Sequence, residues 1–368
     1  KNVPELRFPG FEGEWEEKKL GNLTTKIGSG KTPKGGSENY TNKGIPFLRS
    51  QNIRNGKLNL NDLVYISKDI DDEMKNSRTY YGDVLLNITG ASIGRTAINS
   101  IVETHANLNQ HVCIIRLKKE YYYNFFGQYL LSRKGKRKIF LAQSGGSREG
   151  LNFKEIANLK IFTPTIFEEQ QKIGQFFSKL DQQIELEEQK LELLQQQKKG
   201  YMQKIFSQEL RFKDENGEDY PDWENSKIEK YLKERNERSD KGQMLSVTIN
   251  SGIIKFSELD RKDNSSKDKS NYKVVRKNDI AYNSMRMWQG ASGKSNYNGI
   301  VSPAYTVLYP TQNTSSLFIG YKFKTHRMIH KFKINSQGLT SDTWNLKYKQ
   351  LKNINIDIPV LEEQEKIG

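Results

Sequence analysis

Residues Glu168–Gly174 have the sequence EEQQKIG, and residues Glu362–Gly368 have the nearly identical sequence EEQEKIG. The match extends backwards from both points, because Leu151–Pro164 aligns with Leu346–Pro359 and ends in the same way. Self-similarity at a long fixed period is the signature of a duplicated architecture. The chain is therefore interpreted as a tandem duplication with a period of roughly 200 residues, whose second copy stops where the first starts a long helix.

The beginnings of the two halves match as well. Glu5–Phe8 and Glu209–Phe212 both read ELRF, and a Trp-Glu pair follows each of them. Further along, each half has an acidic turn into an apolar strand and then a small-residue loop, Gly90–Ser92 in the first half and Gly290–Ser292 in the second. These matches assign equivalent landmarks to the two halves.

The first copy continues into a proline-free segment, Glu168–Phe206, that predicts one long helix. Apolar residues recur there every 3.5 residues on average, which is typical of a coiled coil, and the helix would be about 58 Å long. A helix with such a narrow apolar seam needs a partner, and the equivalent helix starting at Leu361 is the expected one, truncated at Gly368. The predicted helix-packing residues are Ile173, Phe177, Leu180, Ile184, Leu191, Leu194, Tyr201 and Ile205.

The segments on either side of the helix mix short β-rich runs, glycine- and asparagine-rich turns and a few helical patches. They are typical of α/β or α+β globules, and we predict the α+β class: two pseudo-repeated domains separated by the long coiled-coil helix. The predicted bounds are 1–166 for the first globular domain, 167–207 for the helix, 208–360 for the second globular domain and 361–368 for the start of the truncated second helix.

The composition points to a polyanionic partner. The 368 residues carry 59 Lys and Arg against 44 Asp and Glu, for a net charge of +15 and a pI near 9.4. The excess lies in the globules, since residues 1–160 contain 26 basic and 16 acidic side chains. A positive field of this kind attracts phosphate backbones or anionic membrane.

Apolar segments and cysteine usage narrow the class of protein. Mean hydropathy is -0.80, and no run of about 18 apolar residues is present, so a soluble protein without a spanning helix is expected. Cys113 is the single cysteine, which excludes an internal disulfide and a multi-thiolate zinc site and fits a reducing, cytoplasmic location.

Several enzymatic motifs are absent. Gly28–Thr32 resembles the end of a phosphate-binding loop, but Thr25 replaces its first glycine and Pro33 follows where a helix should begin. His326 and His330 are spaced for one helix face, yet the glutamate of a zinc protease is missing between them. The aminomethyltransferase tetrapeptide, the dinucleotide-binding glycine turn and a nuclease constellation are missing too, so no catalytic or metal-ligating residue is assigned.

The remaining polar loops contain the residue types that read DNA. Arginine pairs with guanine, asparagine and glutamine pair with adenine, and serine and threonine tether phosphates. Loop residues of these types are also common in any soluble protein, so each assignment competes with a purely structural role. The predicted DNA-binding residues are Lys31, Thr32, Arg49, Gln51, Thr89, Arg95, Asn109, Gln110, Ser147 and Arg148 in the first half and Arg286, Trp288, Gln289, Ser302 and Tyr305 in the second.

Two interpretations of the basic run 133–138 stay open: it is a solvated helix end, or it contacts phosphate.

The order of the motifs resembles the specificity subunits of type I restriction-modification systems over essentially the whole chain. The motifs that carry the resemblance, each repeated or placed around the long helix, are Gly28–Pro33, Ile45–Arg49, Gly82–Leu85, Ser92–Arg95, Asn109-Gln110, and Pro164 followed by Glu168–Gln170. The second half departs from the first, with Val301–Tyr305 in place of Asn107–His111 and no Thr-Pro element. This difference suggests that the second domain reads a different half-site.

The resemblance implies a non-catalytic subunit that binds double-stranded DNA. Each globule would read one half of a bipartite asymmetric target, and the paired helices would set the spacing and dock two methyltransferase subunits. The chain itself would hold no cofactor. S-adenosylmethionine, ATP and Mg²⁺ would be bound by the methyltransferase and the restriction-translocase subunits, with no membrane involved.

Two other classes of protein stay open on the residues alone. A nucleic-acid enzyme with an unfamiliar site would be active as an isolated chain. A basic coiled-coil adaptor for an acidic protein would share the charge and the helix, and competition by DNA would separate it from a DNA reader.

Overall fold

The computed structural model describes residues 3–143, 150–260 and 267–368 and divides into two compact units, Lys1–Leu191 and Glu192–Gly368. Each unit mixes helices with small sheets, which confirms the α+β class. None of the helices within these described ranges is long and apolar enough to cross a membrane.

The elements of the first unit follow in chain order. Its strands are β1 (Glu16–Lys19), β2 (Thr24–Ser29), β3 (Ile45–Leu48), β4 (Val64–Ile66), β5 (Arg78–Thr79), β6 (Val84–Asn87), β7 (Thr96–Ile98), β8 (Ala106–Leu108), β9 (Val112–Leu117) and β10 (Lys160–Thr163). Its helices are α1 (Leu20–Leu23), α2 (Lys68–Glu73), α3 (Tyr123–Leu131), α4 (Arg133–Leu141), α5 (Phe153–Asn158) and α6 (Phe167–Phe206), the last of which crosses the boundary between the units.

The second unit contains a parallel set. Its strands are β11 (Glu224–Lys227), β12 (Leu232–Glu234), β13 (Leu245–Thr248), β14 (Gly252–Lys255), β15 (Lys273–Val275), β16 (Ile280–Asn283), β17 (Ser292–Lys294), β18 (Gly299–Val301), β19 (Tyr305–Pro310) and β20 (Asn355–Ile358). Its helices are α7 (Ser316–Lys322), α8 (His326–Asn335), α9 (Tyr348–Leu351) and α10 (Leu361–Ile367).

The sequence repeat corresponds to a repeated topology. An antiparallel sheet has the strand order β2-β9-β6-β7 in the first unit and β12-β19-β16-β17 in the second. A two-stranded ladder, β1 with β10 or β11 with β20, closes each unit. The units differ beside these sheets, because the first has the sheet β4-β3-β8-β5 and the second has two separate strand pairs. This difference coincides with the sequence divergence between the halves.

The repeated EEQ motif anchors the beginning of each half to its end. Buried Glu169 accepts two hydrogen bonds from Arg7, both of 2.7 Å, and Glu363 pairs with Arg211 in the same way. In each half, the ELRF motif therefore supplies the arginine of an ion pair, and the EEQ motif supplies the glutamate. The neighbouring buried glutamine of each motif accepts a hydrogen bond from a backbone N–H.

The long helix confirms the sequence prediction in its extent, Phe167–Phe206. Ile173 packs on the core of the first unit, and Ile205 is partly buried. Phe177, Leu180, Ile184, Leu191, Leu194 and Tyr201 are between 43% and 59% exposed. The predicted seam is thus exposed on this chain. The bounds of the recognition domains stay a prediction, since the units divide within the helix.

Lys322 at the end of α7 is an ammonium group enclosed by aromatic rings. It is 3% exposed, and its Nζ lies 4.8 Å from the ring of Trp223 and 5.3 Å from that of Phe206. Burial lowers the pKa of Lys322 to about 8, against the attraction of Asp357, and Lys324 nearby is lowered to about 8 by burial alone.

We expect Lys322→Met to stabilise the second unit at pH 7 by about 1–3 kcal/mol, because it removes the cost of burying a charge. In the wild-type protein, the native state releases the proton at lower pH than the unfolded state, so stability rises between pH 8 and 10.5. Denaturant unfolding followed by tryptophan fluorescence across this pH range should show a smaller rise in stability in the variant than in the wild-type protein. The rise that remains in the variant comes from Lys324. A less stable variant at pH 7 would mean that the ring contacts outweigh the burial cost.

Candidate nucleic-acid interface

Loops from distant parts of the first unit meet at one end of its sheet. The loop after β6 and the loop before β9 are joined by a hydrogen bond of 2.6 Å between Thr89 Oγ1 and His111 Nδ1. Asn87 Nδ2 donates to Ser50 O at 2.9 Å and connects the loop after β3. Together they form an open concavity of about 460 Å³, which is lined by Ser50, Gln51, Thr89, Gly90, Ala91, Ser92, Arg95 and His111.

The segment after β2 lies against the same loops. Lys31 N donates to Leu108 O at 2.9 Å, and Thr32 Oγ1 donates to Gln110 Oε1. This approach requires Gly30, since a Cβ there would lie 1.7 Å from Leu108 O. The Gly-Ser-Gly-Lys-Thr segment is therefore the end of a strand packed on a loop, and a short 3₁₀ turn, Gly36–Asn39, follows it instead of the α-helix of a nucleotide-binding loop.

Arg95 is the side chain of this group best suited to contact a ligand. Within the described ranges, its guanidinium makes no hydrogen bond, ion pair or ring contact, and it lines the concavity. Gln51 is exposed at the same place. A free guanidinium beside an exposed amide, a hydroxyl and an imidazole can donate to base edges or phosphates.

Two other predicted residues are engaged internally. Arg49 donates to Asp62 O at 2.9 Å and lies over the Tyr40 ring at 5.5 Å, so its head group already has partners. Asn109 is 9% exposed and accepts from His111 N at 3.1 Å, which shapes the turn before β9. These contacts favour a structural role for both. Ser147 and Arg148 fall in 144–149, outside the described residues.

The equivalent turn in the second unit has a different chemistry. Arg286 caps the 3₁₀ turn Met287–Gln289 after β16, and its guanidinium is without a partner in the described part of the chain. Trp288 donates through Nε1 to Met285 O at 3.2 Å. Its ring meets the Trp344 ring edge-on, with centroids 5.2 Å apart. Gln289, beside Trp288, is half-buried.

Ser302 and Tyr305 border this turn from the next strand. Tyr305 begins β19 and pairs with Asn283, the last residue of β16. Ser302 closes the preceding turn by accepting from Ala304 N at 3.4 Å through its hydroxyl. The structure thus brings Arg286, Trp288, Gln289 and Tyr305 to the same end of the repeated sheet that carries Thr89 and Arg95 in the first unit.

Sequence reasoning missed two contributors, His111 and Trp344. His111 directly follows the predicted residues Asn109 and Gln110, but its bond to Thr89 depends on a residue 22 positions away. Trp344 lies in a polar loop, with Lys333 Nζ 5.8 Å from its ring. The sequence signal that could have identified Trp344 is the presence of a tryptophan in a polar loop.

Both clusters consist mainly of hydrogen-bonding and aromatic side chains. Their side chains are donors, amides, hydroxyls and aromatic rings, without paired carboxylates. The described residues contain no group of three or more His, Cys, Asp or Glu placed to hold a metal ion.

Comparison with known proteins gives a consistent result. The model of the type I restriction modification DNA specificity domain matches residues 12–196 and again residues 220–368. The putative type I restriction enzyme MjaX specificity subunit of Methanocaldococcus jannaschii is 27% identical over 231 residues, which cover 60% of this chain and 53% of that protein. The EcoBI specificity subunit of Escherichia coli is 31% identical over 144 residues, or 38% of this chain and 30% of that one. The matches thus span about half or less of these relatives.

Solved structures show the same fold. A crystal structure of the type I restriction-modification S subunit from M. genitalium matches with a TM-score of 0.59 at 14% identity, covering 99% of this chain and 90% of that one. A structure from a study of assembly and conformational transition of the type I system matches with a TM-score of 0.52 at 16% identity and the same coverage.

Proposed function

The chain belongs to the type I restriction modification DNA specificity domain family, and we propose that each of its two units reads one half of a bipartite, asymmetric DNA target. The observation that carries this proposal is the repeated placement of an arginine at the same end of equivalent sheets, Arg95 after β6 and Arg286 after β16, with no partner for either guanidinium among the described residues. Because the surrounding side chains differ, the two units should prefer different half-sites.

The proposed contacts follow from the donors at each site. Arg95 can donate two parallel bonds to guanine N7 and O6, and Gln51 can pair with adenine. Lys31 and Thr32 suit phosphate oxygens beside these bases. In the second unit, Arg286 and Gln289 supply the polar contacts, and Trp288 adds an aromatic edge.

We also propose that the chain acts as a recognition subunit in the cytoplasm, with the chemistry carried by other chains. Two methyltransferase subunits would supply adenine methylation with S-adenosylmethionine, and restriction-translocase subunits would use ATP and Mg²⁺. Family membership supports this assignment. The exposed apolar seam of α6 supports a helical partner and a docking surface, and in this role the helix would set the half-site spacing.

The test is the independence of the two half-sites. The target is first identified by mapping methylated adenines in the genome of a cell that carries this chain with its methyltransferase partner. Arg95→Ala should then lose about 1–3 kcal/mol of base discrimination at the first half-site only, and Arg286→Ala a similar amount at the second only. Affinities on duplexes mutated in either half measure both effects.

Arg95→Lys is the matched control, because it keeps the charge but loses the planar fork that reads guanine. It should retain affinity for phosphate and lose discrimination. Equal relaxation at both halves after either arginine substitution would contradict the two-reader proposal. Binding to an acidic protein that DNA does not displace would favour the adaptor, and turnover of nucleic acid by the isolated chain would favour an enzyme.

A further inference from the structure

Two helices, α4 in the first unit and α8 in the second, occupy equivalent places. Ser132 caps α4 by accepting from Gly135 N, and Thr325 caps α8 by accepting from Met328 N. Each helix is also tied to the closing ladder by a lysine. Lys138 Nζ donates to the carbonyl of the first residue of β10, and Lys331 Nζ donates to that of β20.

Both helices pack on the turn that carries the arginine of their unit, Arg95 or Arg286. A Cβ at Gly94, next to Arg95, would meet Ile139 of α4 at 3.5 Å. A Cβ at Gly290 would meet Ile329 of α8 at 3.3 Å. In the first unit, the chain leaving α4 returns at Gly150, which forms a bridge with Thr89. Each helix therefore flanks the residues of its unit that are proposed to read DNA. We call these residues the reading cluster: Thr89 and Arg95 in the first unit, Arg286 and Trp288 in the second.

The position of α4 is fixed by close backbone packing. A Cβ at buried Gly135 would lie 2.1 Å from Tyr129 O of the preceding helix. Ile139 on the same face is 2% exposed. The helix is thus held with one face on the core and the opposite face in solvent.

The exposed face of α4 is a cluster of positive charge that has no acidic partner in the part of the chain that the structure describes. Its nine residues include five basic and no acidic side chains. Four of them are exposed or nearly so and have no hydrogen bond, ion pair or ring contact to any described residue, namely Arg133, Lys134, Lys136 and Arg137. Like charges three and four residues apart on a helix repel each other, so this arrangement costs stability in the free protein.

The cations of α8 are mostly engaged, in contrast. Arg327 pairs with Asp357 at 3.0 Å, and Lys331 donates to Asn355 O at 2.5 Å. Lys333 is exposed and lies near Trp344, whose ring contacts Trp288. Histidines stand at 326 and 330, where α4 has Arg133 and Arg137.

We propose that the exposed face of α4 is the main phosphate-binding element of the protein, and that α8 makes a much smaller contribution. The proposal rests on the function given above and adds an asymmetry between the units. The first unit anchors the DNA backbone through the four cations of α4, beside the concavity of Arg95. The second unit binds chiefly through the Arg286 and Trp288 turn. A DNA backbone is favoured over an anionic membrane because the charges adjoin the reading loops.

The test uses the full chain and a duplex that contains its target, with affinities measured from 50 to 200 mM salt. The variant replaces all four cations: Arg133→Gln, Lys134→Gln, Lys136→Gln and Arg137→Gln. Each lost phosphate contact should lower the slope of log affinity against log salt by about 0.9. The fall in affinity across this range should therefore be about 100-fold smaller than in the wild-type chain. Lys333→Gln should reduce the fall only about 3-fold.

A matched variant of the same unit neutralises four lysines, Lys68, Lys75, Lys118 and Lys119. Lys118 and Lys119 follow β9, at the end of the sheet opposite to the reading loops. This variant should keep most of the wild-type slope. A second variant, Arg133→Lys with Arg137→Lys, should keep the full slope, and its behaviour separates loss of charge from loss of folding.

The outcomes distinguish this proposal from the one it rests on. A wild-type slope in the four-cation variant would overturn the anchor while DNA reading stands, and so would an equal loss in the matched lysine variant. Phe140 and Leu141 at the end of α4 are about 70% exposed, so vesicles containing phosphatidylserine are tested in parallel. Loss of vesicle binding with an unchanged DNA slope would overturn the DNA assignment. A wild-type chain that binds no DNA would overturn the proposed function itself.

Discussion

We expect the affinity of the full chain for its duplex target to fall about 10³–10⁵-fold between 50 and 200 mM salt, corresponding to six to ten phosphate contacts. The reason is the net charge of +15, concentrated in the globules. Neutralising phosphates releases counterions, and the entropy of that release decreases as the salt concentration rises. Fluorescence anisotropy with labelled duplexes at several salt concentrations measures the slope.

A duplex of unrelated sequence is the control for this experiment. It should show a similarly steep slope at lower affinity, because phosphate contacts carry no sequence information. The ratio of the two affinities should therefore change much less than either affinity. A salt-insensitive complex would contradict a binding mode dominated by the backbone.

The second large effect concerns a buried aspartate that occurs at the equivalent place in each unit. Asp83 is 3% exposed and accepts from Arg116 through Nε and a terminal nitrogen, both at 2.8 Å, and from Thr79 Oγ1 at 2.9 Å. Asp279 is 2% exposed and accepts from Arg235 at 2.6 and 2.9 Å. Each aspartate lies directly before the strand, β6 or β16, that leads into the loop proposed to read DNA.

We expect Asp83→Asn to destabilise the first unit by about 3 kcal/mol, and Asp279→Asn to do the same in the second. Removing one member of a buried ion pair leaves the partner charge poorly solvated, which typically costs about 3–5 kcal/mol, and the partial exposure of both arginines favours the lower value. Amide hydrogen exchange followed by peptide mass measures the loss unit by unit.

Asp72→Asn is the matched control. Asp72 pairs with Arg78 at 2.7 Å but is 43% exposed, and surface pairs of this kind contribute about 0–1 kcal/mol. Its substitution should leave exchange in the first unit nearly unchanged. Equal loss of protection in both units after Asp83→Asn would show that the units do not unfold separately.

The elements set by local patterns were predictable from the sequence. The helix α6 follows from its apolar heptads and the lack of proline, and β6 and β9 follow from short apolar runs between turn residues. The duplication aligned the loops that follow β6 and β16. These features depend on neighbours in sequence, so the residues themselves carry the information.

The roles of single side chains depended on partners far away in the chain. Arg49 has the residue type of a base reader, but Asp62 O and the Tyr40 ring occupy its head group. Trp344 gains its place in the second cluster from Trp288, 56 positions earlier. Neither contact follows from periodicity or composition. The repeated EEQ motif is similar, because its meaning as an anchor appears only when Arg7 and Glu169 meet.

That anchor has a consequence for how such chains diversify. Since Arg7 binds Glu169 and Arg211 binds Glu363, each half has its entry and its exit side by side and is fastened by its own bond. Neighbouring ends are the condition under which protein segments tolerate permutation or transplantation. A gene exchange that replaces the segment from one ELRF motif through the next EEQ motif would transfer both members of the ion pair. One half can thus be exchanged as a unit during evolution, while the other half stays unchanged.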